Sequence, residues 1–216
     1  MKTKEYVKRY TLFVIGLFFC SLGIALTKSG ELGVSPISSV PNVLSVKFTF
    51  MSMGDWLFVW NSLMLLAQIL ILRKKFQLFQ LLQLPLNLLY SLFTDGCLWL
   101  VSFLPVPNYF FQIVMVLAGT VVLGFGIALS VTAGVILITG EALVKTIAET
   151  LHKKFGNVKI VFDVSCALLS VILSLIFFDL KLVGTREGTV IAALGVGSVV
   201  KFFQPRLQKL QTFLKA

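Results

Sequence analysis

Residues 11–27 read TLFVIGLFFCSLGIALT, and runs of this kind recur along the chain. WLFVWNSLMLLAQILIL (56–72), PNYFFQIVMVLAGTVVLGFGIAL (107–129) and VKIVFDVSCALLSVILSLIFF (158–178) are the others that stand out. A helix needs about 20 mainly apolar residues to cross about 30 Å of hydrocarbon. A soluble domain carries charge on about a quarter of its residues; here the figure is 13%, with a mean hydropathy of +0.96. The chain reads as an all-α polytopic membrane protein. A basic start followed by an apolar run also describes a signal peptide. That reading is rejected because the run is long, no small-residue cleavage site follows it cleanly, and further spans come after it.

Six spans are expected, at about 10–28, 55–73, 77–94, 107–129, 158–178 and 187–204. The third, QLFQLLQLPLNLLYSLFT, is the weakest, since it carries Gln, Asn and a proline. Cytoplasmic loops of membrane proteins carry the excess of Lys and Arg. With both termini in the cytoplasm, 15 of the 19 basic residues fall inside, and only Lys28, Lys47, Lys181 and Arg186 fall outside or near the outer face. The net charge of +10 is therefore read as topology and not as nucleic-acid binding. The tails 1–9 and 205–216 are expected to be basic and cytoplasmic, on a single membrane domain.

Two segments remain, 33–50 and 131–151. Each is too apolar for a plain loop and too short or interrupted for a span, and each begins and ends on one side of the membrane. They read as re-entrant half-helices or interfacial helices. A repeat supports the first option: GLFFCSLGIAL (16–26) resembles GTVVLGFGIAL (119–129), each followed by a polar, glycine-containing break. Gly54 and Gly156 then open the next spans, and Asn61 and Asp163 occupy equivalent positions 102 residues apart. The expected architecture is two inverted repeats of three spans, about 10–94 and 107–204, each with one re-entrant half-helix. Such repeats mark many transporters, with sites at the repeat interface near the midplane.

The stretch GVSPISSVP (33–41) suits the start of a half-helix. Proline favours the first turn, where its missing N–H costs nothing, and Ser35 before Pro36 is a good N-cap. Gly30 and Gly33 are expected to supply the tight turn. A helix N-terminus favours anionic or carbonyl groups, so Ser35, Pro36, Ser38 and Ser39 are candidate solute contacts. In the second copy Thr139 is expected as the cap, followed by Gly140 and Glu141. Ionisable groups inside a membrane are costly and usually functional, which makes Glu141 and Asp163 candidates for a solute, proton or cation site. The competing reading of Glu141 is a plain electrostatic match to its helix N-terminus. Asn61 is carried as the repeat partner of Asp163, although it and Asn87 also suit helix–helix hydrogen bonds. Arg186, in GTREGT (184–189), reads as a gate or anchor, or else as a solvated pair with Glu187.

An enzyme is not expected. There is no P-loop pattern, and the only histidine, His152, sits in a basic HKK stretch away from any nucleophile. The carboxylates lack His or Cys neighbours, so neither a metal nor a cofactor is expected. Cys20 and Cys166 fall in apolar spans and read as packing residues. The leading expectation is a small-solute transporter in the lipid bilayer, taking a polar or anionic solute with proton or cation coupling. The alternative is an accessory or interaction protein, or the substrate-binding subunit of a multi-protein transporter. It would dock a partner membrane protein or a second copy through small residues such as GVGSVV (195–200).

The combination of GIAL, LGVSP and VGTREGT resembles the YczE/YyaS/YitT-like family of bacterial membrane proteins over roughly residues 10–204. Members often read LGVSPWD where this chain has LGVSPIS, so Ile37 and Ser38 depart from that pattern. The first-repeat copy of the G-T motif is replaced by LLQLPLN (81–87). The resemblance implies a bacterial cytoplasmic membrane and supplies no substrate.

Overall fold

A computed structural model describes residues 3–215, with side chains for 5–207. Lys2 and the side chains of Lys4, Lys209 and Lys215 lie outside that range. Eight α-helices are present among the described residues: α1 (Thr3–Ser29), α2 (Pro36–Lys47), α3 (Met53–Leu72), α4 (Gln83–Val101), α5 (Tyr109–Ala133), α6 (Thr139–Thr150), α7 (Phe155–Phe177) and α8 (Glu187–Lys215). Among the described residues, six segments are long and apolar enough to cross a membrane: Glu5–Ser29, Met53–Lys75, Leu78–Val101, Tyr109–Ala133, Phe155–Phe177 and Glu187–Leu207. All six expected spans are helical. The third starts with a short 3₁₀ segment (Leu78–Leu82) and reaches Val101, seven residues beyond its expected end. Pro85 lies in the first turn of α4, where its missing N–H leaves no helical bond unmade.

The two central helices are α1 and α5, which run antiparallel. Their seam is made of glycine. A Cβ on Gly23 would lie 2.5 Å from the Leu123 nitrogen, and one on Gly119 would lie 2.8 Å from the Gly23 carbonyl oxygen. Seven residues further along α5, a Cβ on Gly126 would meet the Cys20 nitrogen at 2.6 Å and the Gly16 carbonyl at 2.8 Å. The backbones touch directly, the mode of close packing available to small residues in a membrane. Phe13, Leu17, Cys20, Ile24 and Leu123 form the buried core beside this seam.

Around that pair the packing follows a regular scheme. α4 packs on α1, and α8 packs on α5. α2 packs on α3 and α7, while α6 packs on α7 and α3. The one large departure is that α3 packs along α4, whereas α7 and α8 barely touch.

The α3–α4 contact has an identifiable clasp. Ser52 caps α3 in a reciprocal capping box with Asp55, and its hydroxyl also donates to Asp95 Oδ2 of α4 at 2.6 Å. The Gly54 N–H donates to Asp95 Oδ1 at 2.8 Å. Gly54 is needed there, because a Cβ would strike the Ser91 carbonyl and lie 2.5 Å from Asp95 Oδ2. Its counterpart Gly156 has nothing within 4 Å.

The breaks before α2 and α6 differ from the sequence reading in detail. Gly33 does adopt a left-handed conformation (φ +110°). Gly30 does not; Glu31 takes the other positive φ, at 57°. Gly30 instead lets α1 approach α5, since a Cβ there would lie 2.9 Å from the Gln112 carbonyl and from Val116 Cγ2. Gly33 is pinned against the start of α8, where a Cβ would meet the Thr189 hydroxyl and where the Gly188 N–H donates to the Leu32 carbonyl at 2.7 Å. The second break follows Gly134, which ends α5 in the left-handed conformation.

Candidate functional site

The first turns of α2 and α6 abut. A Cβ on Gly140 would lie 2.9 Å from Ile37 Cδ1 and 3.8 Å from Met64 Sδ. Gly140 therefore allows two helix N-termini, each carrying partial positive charge, to meet beside α3. Pro36 starts α2 as expected, and Ser35 stands at the N-cap, but its side chain makes no cap bond. The Ser35 hydroxyl donates to Ser38 Oγ at 3.0 Å instead. For α6 the cap residue is Ile138, so Thr139 is the first helical residue and not the cap. Its hydroxyl reaches across to α4, donating to Asn87 Oδ1 at 2.8 Å. That bond gives Asn87 the interhelical role expected of it.

These N-termini line a cavity of about 1200 Å³. Its deep wall includes Cys20, Ser35 to Ser38, Asn61, Tyr90 and Gly140. It opens between α7 and α8 at the end where the exposed Lys145, His152, Lys153, Lys201 and Gln204 form a rim. The walls are mainly apolar, with Leu57, Leu123, Ile127 and Val196 among them.

One charged cluster projects from this apolar lining. Lys159 of α7 pairs with Glu141 of α6 at 3.2 Å and with Asp163, one turn along its own helix, at 2.8 Å. The three side chains are 25%, 13% and 17% exposed. They are thus mostly withdrawn from solvent but still reachable from the cavity, which all three line. An ammonium between two carboxylates satisfies part of each and leaves the cluster with a net charge of −1.

Seven of the ten candidate residues come together here: Ser35, Pro36, Ser38, Asn61, Gly140, Glu141 and Asp163. Ser39 does not line the cavity. It is buried and bridges to α7 through the Cys166 carbonyl at 3.5 Å. Thr139 belongs to the α4 contact. Arg186 is half exposed and pairs with its neighbour Glu187 at 3.1 Å, the solvated pair of the two readings. Asn61 departs from its helix–helix role: it is 2% exposed and its Nδ2 has no hydrogen-bond partner.

Lys159, one of the 15 basic residues that the positive-inside pattern assigns to the cytoplasmic side, is the centre of the charged cluster. Its spacing of four from Asp163 was the available signal. His152 lines the rim, and Tyr90 lines the interior. In GVGSVV, Gly195 faces inward, where a Cβ would lie 2.7 Å from Thr120 Cγ2, while Gly197 lines the open cleft with nothing within 4 Å. Cys20, Cys97 and Cys166 are all free and buried.

Six apolar helices around a charged cleft define a multi-pass helical membrane protein. The DUF6198 family, described as a family of unknown function, matches residues 7–205, and the chain belongs to it. No curated protein matches the chain. No solved structure matches it either.

Proposed function

We propose that this protein is a small-solute transporter in which the two halves, 10–94 and 107–204, are inverted repeats that rock about the α1–α5 seam. In this reading α2 and α6 are re-entrant half-helices meeting near the midplane. Both termini are cytoplasmic, and the membrane is the bacterial plasma membrane that the YczE/YyaS/YitT-like resemblance implies. The open cleft then faces the cytoplasm.

One observation carries the proposal. Exchanging the halves maps most of the larger packing pairs onto one another: α1–α4 onto α5–α8, α2–α3 onto α6–α7, α2–α7 onto α6–α3, while the small α1–α8 and α2–α8 contacts lack a counterpart of similar size. The seam obeys the same exchange, because Gly16 against Gly126 becomes Gly119 against Gly23. The main break is α3–α4, closed, against α7–α8, open. A pair that is closed in one half and open in the other is what alternating access requires of inverted repeats. The glycines fit this reading. The 102-residue shift that relates Gly54 to Gly156 takes Asp95 to Gly197. Gly54 is pressed against α4, while Gly156 and Gly197 both line the open cleft with nothing near them.

Paired cysteines test this. Gly156→Cys combined with Gly197→Cys, or with Val200→Cys one turn on, is oxidised in native membranes over time. The buried native cysteines make a suitable background. Rocking predicts a slow disulfide in at least one pair; a rigid scaffold predicts none in either, which would sink the transport reading. The accessory reading has one observation in its favour: the apolar windows of α7 and α8 are only 17% and 6% buried, a surface that a partner membrane protein would cover. Absence of cross-linking favours that alternative.

A further inference from the structure

Inside the exposed rim of Lys145, Glu149, Lys153 and Lys201, the charge of the cavity nearly cancels. Glu141, Asp163 and Lys159 sum to −1. The two helix N-termini that meet at Gly140 contribute roughly +0.5 each. A solute carrying net charge would leave one charge unbalanced among mainly apolar walls, which is costly. A neutral solute with separated poles would not.

Both poles have counterparts on the wall. The carboxylates form the negative one: Lys159 approaches Glu141 Oε1 and Asp163 Oδ1, and one ammonium with three donors leaves acceptor capacity on both groups. The positive one combines the start of α2, with its Ser35–Ser38 hydroxyl pair, and Asn61. Asn61 lies one turn before Met64, which packs on Gly140. Its Nδ2 is a buried donor with no partner in a wall residue of the cavity. Such a donor costs stability unless an acceptor arrives. A carboxylate is an acceptor that a helix N-terminus also favours.

We infer that the cavity binds a small zwitterion bearing an apolar substituent, with its ammonium at Glu141 and Asp163 and its carboxylate at Asn61 and the start of α2. The assignment rests on reading this cavity as a solute site. The apolar substituent lies against Leu57, Leu123, Ile127 and Val196.

Calorimetry on the purified full chain in detergent, using three probes that share one side chain, tests the assignment. Leucine is the zwitterion, leucine amide the cation and N-acetylleucine the anion. Leucine is expected to bind at least about tenfold more tightly than either derivative, since each loses one charge-assisted contact. Asn61→Asp keeps the shape of the side chain but presents a carboxylate. It is expected to abolish leucine binding and to favour leucine amide. Tighter binding of the amide or of the N-acetyl compound to the wild type overturns the assignment in favour of a cation or anion site. So does an Asn61→Asp variant that binds leucine unchanged. If none of the probes binds while the α7–α8 cysteines still cross-link, the zwitterion assignment fails and the transport reading survives. Failure of both overturns the two together.

Discussion

The contrast between Gly54 and Gly156 yields a direct comparison. Each is the second residue of its helix, so the change in helix propensity on substitution by alanine is common to both and cancels. The surroundings do not cancel. At Gly54 the new methyl group meets the Ser91 backbone carbonyl and Asp95. Neither yields easily, because the carbonyl belongs to α4 and Asp95 is held by two hydrogen bonds, from Ser52 and from the Gly54 N–H. Overpacking of this kind costs about 1–3 kcal/mol. At Gly156 the methyl group enters open space and costs nothing by contact. Gly54→Ala should therefore be less stable than Gly156→Ala by about 1–3 kcal/mol. At about 2–4 °C per kcal/mol for a chain of this size, the two should melt several degrees apart. Thermal unfolding of both variants in one detergent, followed by a thiol-independent probe such as intrinsic fluorescence, reads the difference. Equal losses at the two sites would refute the reasoning, because they would mean that α8 lies on α7 as closely as α4 lies on α3.

Two further substitutions report on other contacts. Lys159→Met leaves Glu141 and Asp163 facing each other without their ammonium; it should cost about 1.5–3 kcal/mol, with part of the loss recovered in Lys159→Met/Glu141→Gln. A loss below about 0.5 kcal/mol in thermal unfolding would show the cluster to be solvated like a surface pair. Gly33→Ala combines a φ of +110° with a clash at Thr189 and should cost about 1–3 kcal/mol from backbone strain alone; an unchanged melting temperature would show that the joint between Leu32 and α8 is loose.

The spans were legible because length and hydropathy decide them, and one-dimensional text carries both. The start of α2 was legible for a similar reason: Ser35-Pro36 is a local signal, and local signals survive without knowledge of the fold. The end of the third span was not, since Asp95 in TDGCLW reads as a boundary. Only the clasp with Ser52 and the Gly54 N–H shows that its charge is met inside the bundle. Lys159 failed for the opposite reason: its topological role was sufficient to explain it, so its approach to Glu141, eighteen residues away on another helix, had no counterpart in the text. Gly30 and Gly33 look alike in sequence, yet one serves a turn and the other a helix seam. Which is which depends on α5 arriving beside Gly30. Thr139 looked like a cap because threonine favours that position; the tertiary partner Asn87 claimed its hydroxyl instead.

The glycine seam between α1 and α5 has a consequence for how the molecule is assembled. The strongest attachment between the halves consists of backbone pressed on backbone, and the linker from Ser102 to Asn108 makes only local hydrogen bonds, with Leu98, Trp99, Val101, Phe111 and Gln112. Recognition of one half by the other is thus encoded in the helices and not in the peptide that joins them. Two fragments made separately from a gene cut at that linker are therefore expected to assemble in the membrane, and co-purification of one through a tag on the other checks this.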